Sequence, residues 1–404
     1  MKLFSSLRHR SFALLWGGQT ISSLGDSLYR VALAWWVLEK TGSATAMGTV
    51  LIFSMVPMLI FLLIGGVAVD RLPRVRLMLG SDLLRFLVSG AVAAMAFANV
   101  LEVWHIYIAS VVFGFVDAFF QPAYVATVPD ITPREALNSA NALTSLSRQL
   151  TGTVGPAIGA AIVALGGTPL AFALDAGSFL LSALFLLPIP PVAAPRAAVP
   201  ATEHNLLREL REGLQAVLAK PWLWVTITLA ALGNVTSGGP LAVSLPFLIK
   251  NTLHGSVELL GLSGSMISLG QVLGSVWLGR IPRLHRRGLI AYGGLLASGL
   301  AVLLYVLPGG VIGIALGALI FGASLAAFGL IWTTTLQEMV PGELLGRVSS
   351  IDYLGSFVLI PIGYALAGWA TDLFGAPLVF IIGGVGTMVM ALLGLAHPAI
   401  RGLD

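Results

Sequence analysis

No cysteine occurs anywhere in this chain, and only 10% of its 404 residues are charged. The first absence removes disulfides, thiolate metal sites and thiol nucleophiles together. The second removes the ordinary soluble class, in which about a quarter of residues carry charge. Lysine occurs only at Lys2, Lys40, Lys220 and Lys250. None of these follows a glycine, so the Gly-Lys-[Ser/Thr] core of a Walker A loop is missing. His-Glu-x-x-His and Gly-x-Ser-x-Gly are missing too, and with them the motifs of zinc-protease and serine-hydrolase chemistry. The six histidines stand singly and build no metal cage. These absences point to a chain that is not an enzyme and needs no cofactor.

What is present is apolar: 57% of residues are hydrophobic and the mean hydropathy is +0.94. A hydrocarbon core about 30 Å thick takes about 20 apolar residues per helix. Hydropathy places spans near 12–38, 44–69, 77–98, 103–127, 138–166 and 168–188, and again near 221–249, 256–279, 288–308, 310–336, 345–370 and 376–397. Between the two sets lies "IPPVAAPRAAVPAT" (189–202), followed by "EHNLLRELREGLQAVLAK" (203–220), whose leucines recur at helical spacing. That second stretch reads as an amphipathic helix on the membrane surface. The expected architecture is an all-α integral membrane protein: a six-helix bundle over 1–188, a cytoplasmic linker over 189–220 and a second six-helix bundle over 221–404.

Cationic residues test this map, because loops on the cytoplasmic side are enriched in Lys and Arg. With both termini inside, 17 of the 22 fall on the cytoplasmic side, only Lys40 and Lys250 fall outside, and Arg30, Arg85 and Arg148 lie within spans. The pI of 9.6 thus reflects topology and calls for no nucleic-acid partner.

Shifting the second half by about 208 residues lays Leu24-Gly25-Asp26 on Leu232-Gly233-Asn234, and Phe113-Gly114 on Phe321-Gly322. It also lays "GGVAVDRLPRVRLML" (65–79) over "GRIPRLHRR" (279–287), so Arg71, Pro73 and Arg74 meet Arg280, Pro282 and Arg283, while Asp70 meets Gly279. The halves are internal repeats. Parallel six-span repeats about a central cavity are a known transporter plan.

The loop at 65–79 resembles the signature of the major facilitator superfamily, Gly-x-x-x-Asp-Arg-x-Gly-x-Arg-Lys. Gly66, Asp70, Arg71, Arg74 and Arg76 are in register, and Pro73 stands where the second glycine is usual. "VPDITPREALNSANAL" (128–143), "SRQLTGTVGPAIGA" (147–160) and "LDAGSFLLSAL" (174–184) resemble the twelve-span drug:proton antiporters, among them macrolide-efflux and enterobactin-export proteins. The resemblance implies a monomeric, multi-pass protein of a prokaryotic inner membrane, with both termini cytoplasmic. It also implies that Gly66, Asp70, Arg71 and Arg74 latch against the cytoplasmic start of span eleven, where Asp352 lies. A carboxylate approaching a helix N-terminus is favoured by the backbone dipole; the competing reading is that these charges only set topology.

Charges within spans cost roughly 2.5–3.5 kcal/mol on insertion scales, so each is a functional candidate. Gln19, Ser22, Ser23, Asp26 and Arg30 form one stripe on span one. At about 1.5 Å per residue, Asp26 lies near the midplane, as proton carrier, substrate contact or static i,i+4 partner of Arg30. Asp117, Gln121 and Tyr124 share a face of span four at similar depth. Arg148 on span five is available to Asp117, to Asp26 or to an anionic substrate. Asn234 matches Asp26 in the repeat. Gly155 and Gly159 have the spacing of a close helix contact, and Pro156 supplies a bend. Asp175 reads as a hydrogen-bonding acid, Asp82 and Arg85 as an extension of the cytoplasmic loop's charges.

The function expected is export of amphiphilic organic compounds, drug-like, macrolide-like or siderophore-like, by proton antiport with alternating access. The proton gradient would be the energy source, and the substrate, protons and lipid bilayer the only partners. The alternatives are a lipid or lysolipid flippase of the same fold and a non-transporting membrane receptor or scaffold.

Overall fold

The structure is a computed structural model that describes residues 4–190, 206–281 and 285–404, and every regular element among them is helical. The chain divides into two compact units, Met1–Pro200 and Ala201–Asp404. The first contains α1 (Arg10–Thr41), α2 (Ala44–Arg71), α3 (Arg74–Phe97), α4 (Val103–Ile131) and α5 (Leu137–Leu186). The second contains α6 (Leu206–Leu218), α7 (Pro221–Thr252), α8 (Val257–Gly279), α9 (Arg287–Leu304), α10 (Gly310–Met339), α11 (Gly342–Phe374) and α12 (Ala376–Ala396).

Ten helical segments among the described residues are long and apolar enough to cross a membrane. One of them contains α5, which is two helices joined at Gly167, where φ is 77° and ψ 170°. Gly375, between α11 and α12, repeats that break at φ 82° and ψ 153°. The two glycines are 208 residues apart, and each is followed two residues later by a proline, Pro169 and Pro377. A positive φ of this size admits glycine far more readily than any residue with a Cβ, and the proline starts the next helix with φ already set. α1 is not among the ten: its stripe of Gln19, Thr20, Ser22, Ser23, Asp26 and Ser27 keeps its hydropathy low despite its 32 residues.

Pairing within each unit follows the repeat. In the first, α2 packs on α4, α3 on α4 and α5, and α1 on α5; in the second, α8 packs on α10, and α9 on α10 and α12. Matching glycines make the closest approaches. A Cβ on Gly114 of α4 would lie 1.9 Å from the Ser54 carbonyl oxygen of α2, and one on Gly322 of α10 would lie 1.9 Å from that of Ile267 on α8. Helices without a hydrophobic effect to press them together rely on such contacts. Gly114→Ala and Gly322→Ala are each expected to cost about 1–3 kcal/mol, the usual range for overpacking, measured as thermal unfolding in detergent.

Of the expected amphipathic stretch 203–220, residues 203–205 lie outside the described residues; α6 covers Leu206–Leu218. It does not simply float on the bilayer surface. Val217 is buried with α7 and α11 residues in the second unit's core, and Glu212 pairs with Arg347 of α11 at 2.6 Å. A Cβ on Gly213 would come 3.0 Å from the Arg347 carbonyl, so the glycine lets α6 lie close against α11.

Candidate functional site

Helical periodicity puts Gln19, Ser22, Ser23, Asp26 and Arg30 along one side of α1, and packing turns that side onto a cavity of about 530 Å³ inside the first unit. Gln19, Asp26, Arg30, Arg85, Asp117, Gln121, Tyr124 and Arg148 all line it, with Trp16, Tyr29, Phe113 and Phe120 as aromatic walls. α1 is held against α5 by small residues. Ser23 Oγ and Thr151 Oγ1 share a hydrogen bond of 3.1 Å, a Cβ on Gly155 would lie 2.6 Å from Ser27 Cβ, and one on Gly159 would lie 3.1 Å from Leu28 Cα. Pro156 sits inside α5 between these two glycines.

The charges pair differently from the sequence-based expectation. Arg85 is no part of a cytoplasmic loop network: its Nη2 donates to Asp117 Oδ1, across from α3 to α4, and its side chain is only 5% exposed. Its guanidinium lies 4.4 Å from the centre of the Phe120 ring and 5.4 Å from that of Phe179, inside reach of a cation–π contact. Asp82, fully buried, accepts from Ser182 Oγ at 2.7 Å, and Ser182 in turn accepts from Gln19 Nε2 at 2.9 Å. Arg85 therefore neutralises Asp117, a role Arg148 does not take; the Arg148 guanidinium stands 5.8 Å from the Tyr124 ring centre instead.

Nor is Asp26 locked to Arg30. Arg30 Nη2 donates to Ser27 Oγ at 2.8 Å, and among the described residues no ion pair within 4.0 Å forms on Asp26. Asp26 is half-buried at the cavity wall. Asp175, fully buried on α5, accepts from Ser89 Oγ at 2.7 Å. Asp82, Arg85 and Ser89 recur at i, i+3 and i+7 on α3. That stripe was visible in the sequence and marked the inward face of the helix.

Asn234 belongs to the second unit, in a π-helical turn of α7, and its Nδ2 donates to the Ser356 carbonyl at 2.9 Å. It does not line the first unit's cavity. Asp352 accepts from Trp332 Nε1 at 2.9 Å and from Ser356 Oγ at 3.3 Å. In the signature loop, Arg74 ties α3 to α4 by donating to Asp130 Oδ2 at 2.5 Å and to the Ala126 carbonyl at 3.2 Å. Gly66 and Arg71 lie in the last turns of α2, and a Cβ on Gly66 would meet nothing within 4 Å. The Asp70 side chain lies outside the described residues. Among the described residues no group of three or more His, Asp or Glu is placed to hold a metal ion.

Residues 15–360 match the family model described as Major Facilitator Superfamily. The chain belongs to the Major Facilitator Superfamily. Macrolide efflux protein A of Streptococcus pyogenes is 24% identical over 396 residues, which is 97% of this chain and 97% of that protein. Enterobactin exporter EntS of Shigella boydii is 28% identical over 364 residues, 89% of this chain and 85% of that one. Among solved structures, the nucleoside transporter NupG superposes with a TM-score of 0.73 at 14% identity, covering 96% of this chain and 99% of that one. A POT family transporter in complex with 5-aminolevulinic acid superposes with a TM-score of 0.75, also at 14% identity, covering 96% of each chain. As a major facilitator this protein is a multi-span membrane transporter and not an enzyme, with the pseudo-symmetric all-α packing of that superfamily. Relatives in bacteria and the multi-pass chain agree with a place in the inner membrane.

Proposed function

We propose that the protein is a twelve-span exporter of amphiphilic organic compounds, with α1 and the two halves of α5 counted among the spans, driven by proton antiport through alternating access. The observation that carries this reading is the state of the two carboxylates in the first unit's cavity. Asp117 has its cation in Arg85, whereas Asp26 faces the cavity with no ion pair. An acid that stands half-buried at a cavity wall with no cation is open both to water and to cargo, so Asp26 is the group suited to exchange a proton with either. The aromatic walls offer flat apolar surface, and the efflux function named for two full-length relatives supports outward transport of such compounds.

Competition between proton and cargo at Asp26 supplies the coupling. A proton entering from outside displaces cargo there; its release inside makes the site available again. Arg30 and Arg148 supply charge toward polar groups on the cargo. The protein acts as a monomer, with the bilayer, protons and cargo as its partners, and both termini face the cytoplasm.

Reconstitution into liposomes under an imposed pH gradient tests this. The protein should move a fluorescent amphiphilic dye against its concentration, with proton flow in the opposite direction. Translocation of labelled lysolipid with no response to pH would replace the reading by a flippase, and movement of neither probe would favour a receptor.

A further inference from the structure

Arg85 stands between two carboxylates and bonds to only one. Its Nη2 holds Asp117 on α4, at the cavity wall. Its Nη1 stops 3.9 Å from Oδ1 of Asp82, three residues earlier on its own helix. That Oδ1 is buried and has no hydrogen-bond partner, and neither does the buried Nε of Arg85. Asp82 is 0% exposed and the Arg85 side chain 5%. Buried polar atoms are nearly always satisfied, so an unsatisfied Asp82 Oδ1 that stands about 1 Å beyond an ordinary N–H···O distance from Nη1 of a guanidinium with its own Nε unsatisfied is a contact that a small shift of Arg85 would close. The rings of Phe120 and Phe179, with centres 4.4 Å and 5.4 Å from the guanidinium, give the planar cation two apolar faces, and a shift of about 1 Å stays within cation–π range of the Phe120 ring.

We infer that Arg85 is a positioning residue that exchanges partners, bonding Asp117 when that acid is charged and moving to Asp82 when Asp117 is neutralised by a proton or by a cationic group of the cargo. The inference concerns how charge in the cavity is felt behind it, and it holds whether Asp26 or Asp117 takes the coupling proton. The route is short. Asp82 Oδ2 already holds Ser182 at 2.7 Å, and Ser182 accepts from Gln19 at 2.9 Å, so a change at Asp117 reaches α5 and returns to the cavity through α1. The titratable and charged groups around the guanidinium are Asp26, Tyr29 and Arg30 from α1, Asp82 from α3, Asp117 from α4 and Asp175 from α5. Among them only Asp82 and Asp117 come within 4.0 Å of it.

A double-mutant cycle on the full chain in detergent tests the exchange. Asp117→Asn leaves Arg85 one carboxylate, Asp82→Asn leaves it the other, and the double variant leaves it none. Asp82→Asn should therefore lower the folded-to-unfolded ratio at least about tenfold more in the Asp117→Asn background than in the wild type. Should the double variant fail to fold, adding Arg85→Met removes the stranded cation and should restore a folded protein. Equal cost of Asp82→Asn in both backgrounds, or no rescue by Arg85→Met, would overturn the proposal.

The second readout separates exchange from a static three-membered cluster. Infrared pH-difference spectra of the reconstituted protein should contain a carboxyl band removed by Asp117→Asn, accompanied by a change in the arginine guanidinium band. Asp82→Asn should abolish that guanidinium change and move the midpoint of the carboxyl band by about one pH unit, a tenfold change in proton binding. A guanidinium band indifferent to pH in the wild type, or a midpoint unmoved by Asp82→Asn, means that Arg85 never leaves Asp117.

Discussion

Asp26→Asn is expected to abolish uphill efflux in proteoliposomes while leaving downhill exchange of the same compound largely in place. The amide keeps the volume and hydrogen-bonding shape of the acid and loses only its proton. Asp26 has no cation to strand, since Arg30 bonds Ser27 instead, so the substitution should be structurally mild, within about 1 kcal/mol of the wild type like a typical change away from a packed network. Coupling and stability are thereby separated in one variant. Concentrative transport should collapse to equilibration, and the dependence of the remaining flux on the pH gradient should vanish. Wild-type uphill efflux in Asp26→Asn would move the coupling role to Asp117, and the same result in both single variants would remove these acids from coupling.

The largest loss of stability is expected from Arg85→Met. The substitution leaves Asp117, whose side chain is 35% exposed at the cavity wall, without its cation, and the fully buried Asp82 without the neighbouring positive charge. Removing one partner of a fully buried pair costs about 3–5 kcal/mol because the other is left uncompensated; water at the cavity wall screens Asp117, so a loss at the lower end of that range, about 3 kcal/mol, is expected. Thermal unfolding in detergent should show this, and Arg85→Lys should recover only part of it. A lysine carries the charge but cannot present one planar fork toward two helices. Unfolding of Arg85→Met at the wild-type temperature would mean that the two acids sit there uncharged and that Arg85 contributes little beyond packing.

The contrast between these variants comes from how each charge was placed by the fold. Asp26 and Arg30, four residues apart, have the spacing of an i,i+4 ion pair, and isolated helices do stabilise such pairs by about 0.2–0.5 kcal/mol. So small a gain is easily outweighed by a hydroxyl at 2.8 Å. Arg85 and Asp117 are 32 residues apart, on different helices, and nothing in local spacing announces them as partners.

The sequence alone established the class of the molecule and picked out many of the residues that line the first unit's cavity. Scarce charge and long apolar runs demanded a membrane protein, because hydrocarbon tolerates few charged groups. The 208-residue offset announced a duplicated unit, and Gly167 and Gly375 return in the structure as matching breaks with positive φ. Periodicity also selected the faces: Gln19, Asp26 and Arg30 from one helix, Asp117, Gln121 and Tyr124 from another, and Arg148 from a third all reach one cavity. Only the tertiary structure decided who pairs with whom. A stripe on a helix states which side avoids lipid but not which neighbour it meets. That is set where backbones can approach, as at Gly114 against Ser54 or Gly155 against Ser27. The packing of α3 on α4 and α5 in the bundle so assembled carries Arg85 to Asp117 and away from the loop its sequence position suggested, while Asp26 is left without a cation at the cavity wall.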